Sequence, residues 1–163
     1  MFKDFQKWIG YTDVKSAPVH FYVQRSNLFD TESTPIPFDL ERVNEGNAID
    51  LTTGIFTAPR PGIYFFSFTG LAHFPVSNFK VNLGVSLILN GDRIGSGWVE
   101  EANTVAAQLL PLTIQSTLNL KKDDQVWMEI IQMSSGAYLL DNFNGHTHFT
   151  GFMLEEDIVA SLN

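Results

Sequence analysis

From Val19 onward, apolar side chains recur at every second position in short runs, which is the period of half-buried strands rather than of helices. Val19, Phe21 and Val23 alternate with His20, Tyr22 and Gln24, and the same reading places strands at 55–57, 63–72, 82–89, 93–99, 112–120, 125–132 and 148–154. Turn residues punctuate the runs. Asn90-Gly91 lies between two strand patterns, and both residues tolerate the positive φ of a type I′ turn, so a hairpin is expected there. The stretch 57–62 carries Pro59 and Pro61, cannot continue a ladder, and reads as a loop ahead of the strand at Tyr64. Strands in this number without interleaved helices imply a sandwich, a jelly roll or a barrel. The N-terminal piece differs: Phe2, Phe5, Trp8 and Ile9 fall on one side of a helix. That stripe suits either a short helix packed on its own domain or the end of a stalk that joins subunits.

Composition narrows the classes. The 163 residues suit one domain, which buries roughly 70% of its unfolded surface. With 44% hydrophobic and 17% charged residues, including 14 Phe, the chain has ample material for a core and is not disordered. No apolar run approaches the ~18 residues that span a bilayer, so no membrane insertion is expected. The formal charge of −8 opposes nucleic acid, and the only basic pair, Lys121-Lys122, is followed at once by Asp123-Asp124. The absence of cysteine removes disulfides, thiol nucleophiles and thiolate metal sites. The first residues lack the apolar core of a secretory signal, so a secreted protein would have lost its signal from this chain.

Catalytic constellations are missing. His146 and His148 share a strand face at i, i+2, but no carboxylate follows at matched spacing, so two histidines at a loop end account for them better than a metal pair. Ser96 in Gly95-Ser96-Gly97 does not spell the strand-to-helix nucleophile elbow and reads as a bulged strand edge. Glu100-Glu101, Asp123-Asp124 and Glu155-Glu156 are sequence neighbours, and in extended backbone neighbours point to opposite faces. An enzyme is therefore not expected, and no N-x-[ST] acceptor for glycosylation occurs.

One pattern is more specific. Phe38 is followed by Asn44, Phe56 and then Gly62-Ile63-Tyr64-Phe65-Phe66-Ser67-Phe68. This order and spacing resembles the globular head of complement C1q, with Ile49 standing where that family has an aromatic residue or Leu. Two further blocks are similar to it: Leu118 to Trp127, where Asp123 replaces a turn glycine, and Thr147-His148-Phe149-Thr150-Gly151-Phe152-Met153-Leu154. The residues have evident physical work. Tyr64, Phe66 and Phe68 share one strand face and can fill the space between two sheets, while Gly62 and Gly151 mark a turn or a close neighbour.

The resemblance implies an all-β, ten-stranded jelly-roll sandwich of the C1q/tumour necrosis factor type over residues 18–157, flanked by an N-terminal extension at 1–17 and a tail at 158–163. Its structural core motif would be Phe38, Asn44, Phe56, Gly62, Tyr64, Phe66, Phe68, Trp127, Phe149 and Gly151. It further implies a homotrimer, extracellular after secretion, that binds glycans or protein ligands through loops and outer surfaces. A lectin-like innate immune protein is the leading expectation; a matrix component or secreted signalling ligand is the alternative. The long, polar, asparagine-rich loop 138–148 is the expected binding edge, with Tyr138, Asp141, Asn142, Asn144, His146 and His148 as contacts. Some heads of this family hold calcium through acids in the loop corresponding to 98–111, which makes Glu100 and Glu101 the candidate ligands and calcium the one cofactor raised. Tyr22, Phe65, Trp98 and Phe143 are either exposed anchors for a partner or buried in the core or between subunits.

Overall fold

The computed structural model describes residues 17–163, so the expected helix bearing Phe2, Phe5, Trp8 and Ile9 lies outside the described residues. The period-two pattern becomes strands β1 (His20–Gln24), β2 (Asn27–Phe29), β3 (Leu40–Glu45), β4 (Ile49–Asp50), β5 (Ile55–Thr57), β6 (Gly62–Phe74), β7 (Val81–Leu89), β8 (Asp92–Glu101), β9 (Gln108–Leu120), β10 (Gln125–Met133), β11 (Tyr138–Asn142) and β12 (His148–Glu156). A short helix, α1 (Ile158–Ser161), follows. Every strand expected from alternation is present. Those not read from the sequence, β2, β3, β4 and β11, are short or, like β3 with Glu41, Arg42 and Glu45, carry charge through a half-exposed edge and so lack the alternation.

Two antiparallel sheets face each other. One runs β2-β11-β6-β12-β1-β3 with β9 along the other side of β6, and the second runs β4-β5-β10-β7-β8. The chain crosses repeatedly between the two sheets, from β3 to β4, β5 to β6, β6 to β7, β8 to β9, β9 to β10 and β10 to β11, as in a jelly-roll sandwich. It shows more than ten strands among the described residues because two- and three-residue pieces such as β4 and β2 pair separately.

The core follows from the pleat of β6, whose even positions are buried and odd positions partly exposed along all 13 residues. Tyr64, Phe66 and Phe68 are at most 1% exposed, and Phe38, Phe56 and Phe149 join them. Phe56 comes from the opposite sheet and packs edge-on to Phe66, with centroids 5.1 Å apart, while Phe21 meets Phe149 at 5.0 Å. The Tyr64 hydroxyl donates to the Arg60 carbonyl at 2.7 Å, so this buried ring keeps its polar end satisfied. Ile49, the departure from the aromatic or Leu, is 3% exposed. Asn44 donates from Nδ2 to the Ile49 carbonyl at 3.0 Å and thereby ties β3 to the start of β4.

Trp127 corrects the expected core motif. Val126 and Met128 on β10 point inward, so the pleat turns Trp127 to the outer face, where it is half-buried and donates from Nε1 to Glu129 at 3.1 Å. Ser96 sits on β8 beside a register shift that leaves Ile94 unpaired, and its hydroxyl pairs with that of Ser86. It is a sheet residue beside a bulge.

Asn90 and Gly91 both have positive φ, 51° and 92°, as the hairpin requires. A Cβ added at Gly91 would meet nothing within 4 Å, so Gly91→Val tests backbone strain alone. The expected loss is about 1–2 kcal/mol in chemical denaturation, and an unchanged midpoint would remove the turn assignment. Asp123, in the place of the turn glycine, also takes a left-handed φ of 71°. The Asp124 carboxylate beside it accepts from Lys121 N at 2.7 Å and from Asn90 Nδ2 at 2.9 Å, stapling that turn to the hairpin tip.

Candidate functional site

The loop between β11 and β12 is organised by one buried acid. Asp141 is 4% exposed; its Oδ1 accepts from the backbone N–H groups of Asn142 at 2.8 Å, Asn144 at 3.2 Å and Gly145 at 3.3 Å, and its Oδ2 accepts from Thr147 N at 2.8 Å. A buried carboxylate needs such partners. Having them, it is committed to the backbone, which corrects its assignment as a ligand contact. The chain wraps around it and turns Asn142, Phe143 and Asn144 out into solvent. Phe143 N donates to the Ser26 carbonyl at 3.0 Å, fixing the tip to the β1–β2 connection.

The other expected contacts separate. His146 lies in the loop ahead of β12 and is partly exposed, while His148, the first residue of β12, is half-buried with its ring edge-on to Tyr22 at 5.6 Å. Tyr138 sits at the opposite end of β11, about 13 Å along the strand from the loop, and stacks on His73 with centroids 4.4 Å apart. It belongs to a different surface. Burial pushes the His148 imidazole below its ordinary value, against the opposing charge of Asp141. A depressed folded-state value means the native state binds fewer protons than the unfolded state. This residue's contribution to stability should therefore fall as pH drops from its ordinary value near 6.5 through the folded value. His148→Gln should flatten that part of the melting temperature profile, and an identical slope in wild type and variant would contradict it.

The calcium candidates do not converge. Glu100 is engaged by Lys80 at 2.7 Å and accepts from Trp98 Nε1 at 3.2 Å, contacts that hold its carboxyl below the usual range. Glu101 alternates to the other face of β8. Among the described residues no group of three or more His, Asp or Glu is placed to hold a metal.

A second surface is the outer face of the β6/β9 sheet. These two 13-residue strands contain no Asp, Glu, Lys or Arg. Among the described residues β9 pairs only with β6, and its other edge has no partner strand. Leu109, Phe152 and Leu154 are 38–56% exposed on this side, and Phe65 packs on Phe152 at 5.3 Å. The signal was legible as aromatic positions on both strand faces. A third feature escapes periodicity: Val76, Phe79 and Val105 protrude from loops 75–80 and 102–107, which are braced where Thr104 Oγ1 donates to the Pro75 carbonyl at 2.7 Å. Isolated apolar residues in polar loops give no repeating pattern to detect.

The distinctive surfaces of this jelly-roll sandwich are thus a caged loop and the uncharged ribbon of β6 and β9. The C1q domain model matches residues 20–154, and the chain belongs to that family. It is 31% identical over 76% of its length to complement C1q tumor necrosis factor-related protein 5 of Rattus norvegicus, covering 47% of that protein. It is 28% identical over 82% of its length to the collagen alpha-1(X) chain of Mus musculus, covering 18% of it. The chain thus spans about half or less of the length of these relatives. The globular domain of zebrafish complement 1qA protein superposes with a TM-score of 0.62 at 21% identity, covering 85% of this chain and 99% of that one, which shows the shared fold. C1q-domain proteins are non-enzymatic ligand-binding or structural proteins, and the chain is not an enzyme.

Proposed function

We propose that this chain is the ligand-recognition head of a secreted, extracellular protein, that it assembles as a homotrimer, and that it binds glycans multivalently in the manner of a lectin-like innate immune protein. The supporting observation is the uncharged ribbon of β6 and β9. An open, 13-residue edge strand without a charged residue is a site where chains pair or aggregate unless something covers it. Proteins protect such edges with Lys, Pro or bulges, and β9 has only Pro111. A closed three-fold contact, as the family membership suggests, would cover the ribbon without leaving a free surface to propagate.

Light scattering is expected to give about 55 kDa, three times the chain's 18.3 kDa, and to keep that value in high salt because the contact is apolar. The pair Phe152→Asp and Leu109→Glu should shift the mass to that of one chain while strand content persists. A monomer for the wild-type chain at micromolar concentration would end the trimer proposal. Three weak sites on one head can gain roughly 10²–10⁴ in avidity. A glycan array run in calcium and in chelator tests the ligand class; complete silence would end the lectin reading. The exposed Val76, Phe79 and Val105 favour a second reading, a matrix or signalling ligand whose partner is a protein, which a pull-down from extracellular fluid with Phe79→Ser as the control would reveal.

A further inference from the structure

Phe143 is placed at odds with folding alone. It has a φ of 66°, in the left-handed region that residues other than Asn, Asp and Gly rarely enter, and the residue is 75% exposed. An Asn or Gly would take that backbone with less strain and no exposed apolar surface. The loop does not relax the strain, because the four N–H bonds to Asp141 and the Phe143 N bond to Ser26 hold the tip. Gly145, at φ 68°, packs so closely on Gln24 that an added Cβ would lie 3.0 Å from its Nε2. The result is an aromatic ring held out from a fixed frame.

Its neighbours define the chemistry. Asn144 donates from Nδ2 to Asn142 Oδ1, so the two carboxamides act as one unit. Among the described residues, the Asn142 amide hydrogens and the Asn144 carbonyl oxygen have no partner. A pair that both donates and accepts, one residue to either side of an exposed aromatic residue in the same loop tip, offers the group types that bind a sugar. The electron-rich ring face attracts the weakly positive C–H groups of a pyranose, and amides exchange hydrogen bonds with its hydroxyls. Loop 141–148 contains no Lys or Arg, the guanidinium of the adjoining Arg25 is taken up by the Asn27, Leu28 and Pro37 carbonyls, and the formal charge of −8 disfavours sialylated or sulfated glycans. Three exposed residues can cover about one ring, far less than the roughly 800 Å² per partner of a protein interface.

Resting on the glycan-binding reading above, we infer that Phe143 is a stacking platform for one neutral hexopyranose or N-acetylhexosamine ring, with Asn142 and Asn144 pairing its hydroxyls. Each head binds such a ring weakly, and repetition over several copies supplies useful strength.

The test is an array of neutral, sialylated and sulfated glycans, followed by titration of the best neutral sugar against the full chain by ligand-observed NMR. Phe143→Ala should weaken binding by about tenfold or more, the scale of an aromatic anchor, whereas Phe143→Trp should keep it. Asn144→Ala should weaken it several-fold, and all three variants should keep the wild-type melting temperature and mass. Neutral-sugar binding that survives Phe143→Ala would overturn the platform and leave the glycan reading standing. Preference for charged glycans would overturn the ligand class assigned here, and silence of the whole array would overturn both readings. A changed oligomeric mass in Phe143→Ala would show instead that the ring is a contact between subunits.

Discussion

Phe66→Ala is expected to remove about 3–5 kcal/mol of stability, the usual cost of deleting a buried ring, from a total of roughly 5–15 kcal/mol. The ring is 1% exposed and lies within 6.3 Å, centroid to centroid, of Phe21, Phe56, Tyr64 and Phe149. Its loss therefore opens a cavity between two sheets that cannot collapse, because each sheet is held by its own ladder. The melting temperature should fall by roughly 6–20 °C for a domain of this size, measured at fixed protein concentration so that assembly contributes equally. A variant melting within about 2 °C of wild type, less than even 1 kcal/mol would produce, would show that the inner face of β6 does not carry the core.

Gly151→Val should do comparable damage by the opposite route. Gly151 lies on β12 between β1 and β6, directly paired with Phe21 and Phe66. A Cβ built there would stand 2.6 Å from Phe21 and 2.7 Å from Phe66, inside both rings' contact distance. Neither ring has space to retreat, so the loss should reach or exceed the roughly 1–3 kcal/mol typical of overpacking. The two substitutions share a partner, and they should not add: in Phe66→Ala/Gly151→Val the valine partly fills the cavity, so the double variant should lose less than the sum of the singles. Strict additivity in denaturant titrations would mean that ring and glycine do not compete for one space.

Core and loop differ in how far their residues announce their roles. Phe21, Tyr64, Phe66 and Phe149 are recognisable from the order of residues because alternation along a strand and burial on one face are the same fact, and the fixed pleat converts one into the other. The Asn90-Gly91 hairpin is equally local, since left-handed backbone preference resides in the residues themselves. Trp127 marks the limit of reading by resemblance: its position in a motif gives no direction, whereas Val126 and Met128 on either side do. Asp141 marks a second limit. A polar residue in a polar loop looks like a contact for a ligand, and only the return of the chain through Asn144, Gly145 and Thr147 shows that its carboxylate is consumed by the loop itself.

The amino-acid order was enough to determine the class of fold, the longer strands that carry most of its core, and the family, because each of these depends on local periodicity or on short ordered motifs. Tertiary structure alone decided which aromatic residues face outward together, that β9 lies at a sheet edge among the described residues, that Glu100 is engaged by Lys80 and Trp98, and that Phe143 stands exposed while Asp141 does not. These are relations between segments far apart in the chain. Their register is set by pairing across strands and by the packing of two sheets, so no window of sequence contains them.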